Sequence, residues 1–292
     1  MWIRNKLKKK ENIFIHFNIN LIPTNIKISK KILKFLYMLK KPKIFFTFIF
    51  NVLIFTFNKY KYSFKPDITV TGGLIASHNK NIKKKIGAHC LDYDTYLKIK
   101  DKPSIKEKNY AVYIDQALTT HPDYKIRNIQ APASRKKYYP VLLNFFNNFK
   151  SETGLNIKFA MHPMSQEEKI SLLLKDIDIC RGNTPELIKN SSVVLTHNST
   201  ATSFAILFNK PIINLTSEEL RKSWLGPEIE AFCKSNGGKI INMDKSIKSQ
   251  INLDQLLKID ELKYKKFKDD YIKMPNSPDI PLWEIVSNNL IA

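Results

Sequence analysis

The segment Val193-Val194-Leu195-Thr196-His197-Asn198-Ser199-Thr200-Ala201 constrains this chain more than any other. The apolar run from Ser192 to Leu195 reads as a short buried strand. Hydroxyl and amide residues follow it at Asn198, Ser199 and Thr200. Ala201, Phe204, Ala205, Leu207 and Phe208 then recur at helical spacing, and Asn209-Lys210-Pro211 stops the helix. A second apolar run, Ile212 to Leu215, completes a strand–helix–strand unit long enough for a parallel crossover. Two uses of its turn are open: Ser199 or Thr200 caps the helix, or free N–H groups and hydroxyls at the helix start bind an anion.

The same alternation extends to both sides. Strands are expected at Ile13 to Phe17 (a buried one), Asp67 to Thr71, Lys85 to His89, Tyr110 to Ile114, Asn156 to Met161 and Lys239 to Asn242. Amphipathic helices are expected at Ile28 to Leu39, Tyr138 to Lys150 and Pro281 to Leu290, with a lysine-rich helix or helix pair between Leu253 and Tyr271. Strands alternating with helices predict an α/β class with parallel sheets. The charged, proline-containing stretch from Asp101 to Lys108 reads as a linker. It divides the chain into residues 1–106 and residues 107–292, and the last helix is a candidate to cross back onto the first part.

A formal net charge of +22 over 292 residues favours anionic partners: nucleotides, nucleic acid or acidic lipid. The lysines are spread along the chain and no nucleic-acid-binding motif appears, so nucleic acid is not the expected partner. Ile44 to Phe57 is the most apolar segment, flanked by lysines and too short for a comfortable membrane span. It reads as a core helix, a strand pair, or a helix lying in an anionic membrane surface. Cys90, Cys180 and Cys233 lie far apart and form no CxxC pair. An odd number without a signal peptide fits a reducing cytoplasm, so the expected location is cytoplasmic, peripheral on the inner face of the membrane.

Ligands of doubly wound sheets bind at the carboxyl ends of the strands. Three strands of the second part end in polar side chains: Asp115-Gln116, His162-Pro163, and His197-Asn198-Ser199-Thr200. On one rim they would offer imidazoles, hydroxyls and amides to a phosphate. Asp115 is the candidate general base. Gly72, Gly73, Asp92, Asp94, His121, Asp123 and Glu186 are further candidates for the cleft. Glu186 either caps a helix or touches a ribose.

Ala160-Met161-His162-Pro163 followed by His197-Asn198-Ser199-Thr200-Ala201 resembles the His-Pro and Ser-Ser/Thr motifs of bacterial GT-B glycosyltransferases. The similar groups are sialyl- and polysialyltransferases, capsule Kdo-type transferases and CDP-glycerol transferases. The resemblance covers residues 107–220 best. It implies two Rossmann-like domains, the N-terminal one reduced, with a CMP- or CDP-linked sugar held by His162, Pro163, His197, Asn198, Ser199 and Thr200. It also implies transfer to a glycan or glycolipid in capsule or lipopolysaccharide synthesis, with His162 acting in catalysis and no metal or cofactor. The acidic pair followed by Gly that sialyltransferases carry is absent here. Asp115-Gln116 or Asp92-Tyr93-Asp94 stands in its place. A sugar-nucleotide epimerase or hydrolase on a similar fold is the alternative, because fold does not set reaction.

Overall fold

A computed structural model describes residues 13–23, 50, 53, 66–77, 84–103, 109–174, 176–250 and 252–291. The helix expected at Ile28 to Leu39 lies outside these residues. So does the apolar segment Ile44 to Phe57, except for Phe50 and Leu53, both exposed.

The chain is an α/β protein with two separate parallel sheets. The smaller joins β1 (Ile15–Asn18), β2 (Ile68–Thr71) and β3 (Lys84–Gly87) in that order. The larger is built from β4 (Tyr110–Ile114), β5 (Asn156–Met161), β6 (Asp178–Arg181), β7 (Val193–Thr196), β8 (Ile212–Thr216) and β9 (Lys239–Asn242). Its spatial order is β6-β5-β4-β7-β8-β9. The chain therefore winds outward from β4 to β6 and then returns to start again at β7. This is the doubly wound arrangement, with a crevice where the winding reverses between β4 and β7.

The apolar runs are the cause of the strand positions. Every residue of β4, β7 and β8 is buried, because central parallel strands are covered by helices on both faces. β1 departs from the expectation of a buried strand. Among the described residues it pairs with β2 alone, at the edge of the sheet, and its residues are partly exposed.

One face of the larger sheet is covered by α4 (Arg135–Thr153), where Leu142, Phe145, Phe146 and Phe149 point inward at helical spacing. Gly154 ends it in the left-handed conformation (φ 71°) that a side chain would strain. The other face carries α2 (Leu91–Ile99), α6 (Thr184–Asn190), α7 (Thr202–Leu207) and α11 (Glu261–Phe267). The buried Lys189 ammonium on α6 donates to the carbonyls of Ile99, Lys100 and Lys102, which satisfies the open end of α2. The last helix, α12 (Leu282–Ile291), packs on the smaller sheet: Leu282, Ile285 and Val286 meet Ile68, Val70 and Ile86. Among the described residues no helix is long and apolar enough to cross a membrane.

Candidate functional site

The carboxyl ends of β4, β5 and β7 open into one cleft of about 580 Å³. β4 supplies Asp115 and Gln116, and β5 supplies His162 and Pro163. β7 supplies Asn198, Ser199 and Thr200, and the loop after β4 supplies His121 and Asp123. Residues separated by more than eighty positions thus share a rim, because parallel neighbours end at the same level.

Two cross-links hold the rim. Gln116 Nε2 donates to Asn198 Oδ1 at 2.9 Å, and Asn198 N–H donates back to Gln116 Oε1 at 3.1 Å. This pair stitches β4 to β7 across the winding reversal. Asp115 stitches β4 to β5. Its Oδ2 accepts from His162 N–H (3.1 Å) and from the Ser165 hydroxyl (2.5 Å), while Oδ1 accepts from Ala117 N–H (3.0 Å). Arg181 braces the same loop from below by donating to the carbonyls of Ser165 and Pro163. The expected general base, Asp115, is thereby bound into the rim. The side chain is 5% exposed and its oxygens hold three donors, so it organises the rim.

The two cleft histidines are held alike. His162 Nδ1 accepts from Met164 N–H at 3.1 Å, and His121 Nδ1 accepts from Asp123 N–H at 3.2 Å. A ring nitrogen that accepts carries no proton, so each neutral ring bears its proton on Nε2. The rings meet edge to face with centroids 5.2 Å apart. Burial lowers the pKa of His162; Asp115 opposes this and His121 adds to it.

The turn after β7 keeps donors to spare. Ser199 Oγ accepts from Ala201 N–H at 3.3 Å, but α7 has no side-chain cap. Among the described residues, the backbone N–H groups of Ser199 and Thr200 and the Thr200 hydroxyl donate to nothing. Open amides beside a neutral imidazole N–H form a donor set for an oxyanion.

Four further wall residues had no signal in the sequence reading. Tyr124 and Arg127 come from the loop around α3 (Asp123–Ile126), and Trp224 and Glu228 from the start of α9 (Gly226–Asn236). Tyr124 and Trp224 stand edge to face at 6.3 Å, and Trp224 Nε1–H donates to Gln130 O at 2.9 Å. Burial raises the pKa of Glu228, against the pull of Arg127. Gly226-Pro227-Glu228 reads locally as an ordinary helix start with an acid in its first turn. Only the fold carries it to the cleft.

Six expected residues lie elsewhere. His197 is fully buried on the α4 side. Its Nδ1–H donates to Leu215 O at 2.7 Å, and Nε2 faces the hydroxyls of Tyr138 (2.7 Å) and Tyr113 (3.2 Å). Side chains alternate across a sheet, so His197 points away where Asn198 points in. Asp92 accepts from the Ser203 hydroxyl and ties α2 to α7 behind the turn, with its pKa raised by burial. Asp94 accepts from Leu282 N–H at 2.8 Å and so caps α12. Gly72 and Gly73 let backbones approach each other: a Cβ on Gly73 would stand 2.4 Å from Asp270 O, and one on Gly72 3.2 Å from Cys90 N. Glu186 lines a separate hollow with Lys158 and Cys180.

No protein-family model matches the sequence, and no curated protein matches it. Solved structures do. A UDP-GlcNAc 2-epimerase from Methanocaldococcus jannaschii is similar with a TM-score of 0.42 at 15% identity, over 78% of this chain and 63% of that one. The spinosyn rhamnosyltransferase SpnG is similar with a TM-score of 0.43 at 11% identity, over 78% of this chain and 57% of that one. For MurG of Acinetobacter baumannii the TM-score is 0.38 at 10% identity, over 78% and 61%. The chain spans about six-tenths of the length of these structures.

Proposed function

We propose that the cleft binds a nucleotide-activated sugar, CMP- or CDP-linked, and passes the sugar to a hydroxyl of a glycan or glycolipid. The observation that carries this reading is the donor set on the rim. His162 Nε2–H, the open amides of Ser199 and Thr200 and their hydroxyls come together where the winding of the larger sheet reverses. In the reaction the bond between the sugar's anomeric carbon and the phosphate oxygen breaks, and negative charge gathers on the phosphate. Fixed donors stabilise that charge at the moment it develops. Asp115 acts indirectly, by holding the His162 backbone in place.

Calorimetry with CMP, CDP and UDP tests the phosphate assignment. His162→Ala is expected to weaken the preferred nucleotide by about 1.5–3 kcal/mol, roughly tenfold to a hundredfold. Ser199→Ala is expected to weaken it less. Unchanged affinity in His162→Ala, with the fold intact, would sink the assignment. Product analysis with the matching sugar nucleotide then separates transfer from epimerisation.

The division into residues 1–106 and residues 107–292 belongs to the same reading, with the acceptor on the side of the smaller sheet. So does attachment to an anionic membrane surface through the basic, apolar segment around Phe50 and Leu53, both exposed. Flotation with phosphatidylserine-containing vesicles is expected to carry the protein upward, and added salt to release it. Equal flotation with neutral vesicles would remove the electrostatic part of this proposal.

A further inference from the structure

Three carboxylates stand on the walls of the cleft: Asp115, Asp123 and Glu228. A group that takes a proton during a reaction needs a free lone pair and a raised affinity for protons. Asp115 is buried, and its oxygens already accept from three donors. Asp123 is exposed, and its Oδ1 lies 3.7 Å from His121 Nδ1. Glu228 differs from both. It is half-buried, and among the described residues its carboxylate makes no hydrogen bond and no ion pair.

The surroundings of Glu228 pull in opposite directions. It sits in the first turn of α9, whose open amides favour the ionised carboxylate. The Arg127 guanidinium favours it too. Burial nevertheless prevails, and the pKa is raised. The neighbouring walls bring Tyr124, whose pKa is pushed up to about 12, the rings of His121 and His162, and the carboxylates of Asp115 and Asp123. The protein thus keeps a partly buried carboxylate, without a side-chain partner among the described residues, in the same cleft as the open donors of the rim.

We infer that Glu228 is the general base of the transfer, taking the proton from the acceptor hydroxyl; the inference rests on the sugar-transfer reading above. The acceptor oxygen forms its bond to the anomeric carbon as the bond from that carbon to the phosphate oxygen breaks. The acceptor's proton goes to a Glu228 carboxylate oxygen, and the electron pair of the broken bond leaves with the nucleotide phosphate. Base and leaving-group donors come from different loops, after β8 for Glu228 and after β5 and β7 for the donors. Each can therefore be changed without the other.

The test measures nucleotide release from CMP-, CDP- and UDP-linked sugars, with water or a glycan mixture as acceptor, alongside calorimetry of CMP, CDP and UDP. Glu228→Gln is expected to bind nucleotide within about threefold of the wild type while release falls at least about a hundredfold, the lower end of what general acid–base catalysis contributes. The rise of release with pH in the wild type should follow the carboxyl of Glu228. It should vanish in Glu228→Gln and return, at a lower rate, in Glu228→Asp. Glu228→Gln is also expected to melt higher than the wild type at neutral pH. A folded-state pKa above the unfolded one means that stability is lost as pH rises through that interval, and glutamine removes the loss. A wild type that releases nucleotide and a Glu228→Gln variant that releases it equally would overturn the inference and leave the transfer reading standing. A wild type that binds and consumes none of these donors would overturn both.

Discussion

The junction between the two sheets and the cleft on the larger one are built from the same residue types, and they treat them in opposite ways. At the junction, His89 stands between two carbonyls, with Nδ1 3.0 Å from Cys90 O and Nε2 2.9 Å from Ile280 O. Asp94 caps α12, and Tyr93 donates to Asp279 at 2.8 Å. Lys273 lies 3.3 Å from the same Asp279 and donates to Ser277 O. Nearly every group there has a protein partner. In the cleft, among the described residues, His162 has a protein partner on one ring nitrogen only, the turn after β7 keeps open amides, and the Glu228 carboxylate has no hydrogen bond. Groups tied to the protein have no bond left to offer, whereas donors and a carboxylate left open on a cleft wall can still take a partner. A histidine or an aspartate in the sequence says little by itself. Whether its partners come from the protein decides what it is for.

The comparison breaks most visibly at His197, the histidine that sits beside the cleft but behaves like the junction. His197→Ala would take the imidazole acceptor from the paired hydroxyls of Tyr113 and Tyr138, leave one of them without an acceptor inside the core, and open a cavity. We expect a loss of about 3–4 kcal/mol, read by chemical denaturation. The same side chain makes stability depend on pH. Burial lowers its pKa from 6.5 to about 4, so between these values the unfolded chain binds the proton and the folded one does not. Its contribution is complete above pH 6.5 and is lost as pH falls towards 4, about 3 kcal/mol in all. A variant whose acid sensitivity matches the wild type would contradict the buried, neutral ring.

A smaller effect is expected at the junction. Asp94→Ala removes the acceptor for Leu282 N–H and should cost about 1 kcal/mol, the usual worth of a helix cap. Hydrogen exchange should quicken in α12 first, and nucleotide affinity should not change. Faster exchange spread evenly through both sheets would mean that the junction is not a local device. The smallest stability change belongs to the cleft. His162→Ala should melt close to the wild type, within about 0.5 kcal/mol, although it loses nucleotide affinity. Asp115 grips the backbone N–H of His162, which alanine retains. Destabilisation of the size expected for His197→Ala would place His162 with the structural histidines.

Much of the fold was legible in the chain. Apolar runs such as Tyr110 to Ile114 and Val193 to Leu195 marked central strands, because burial on both faces leaves no polar position to confuse the pattern. The helix of Phe145, Phe146 and Phe149 was visible in its spacing, and its end in Gly154. The short polar ends of β4, β5 and β7 also identified the rim, since turns after parallel strands are where ligands bind. β1 was harder to read: edge strands are exposed on one side, and nothing in Ile13 to Phe17 says how many neighbours the strand has.

The sequence by itself determined the elements, because helix and strand periods, glycine turns and proline stops act over a few residues. Tertiary structure alone decided the assignment of roles. His197 and Asn198 are adjacent in the chain and face opposite sides of the sheet, one into the core and one towards the cleft. Asp115 accepts on Oδ2 from donors of residues 162 and 165 and so ties β4 to the loop after β5. Glu228, unmarked among the helix starts of the chain, reached the cleft through the order of the sheet. These outcomes depend on contacts between residues far apart in sequence, and no local pattern encodes which of those contacts will form.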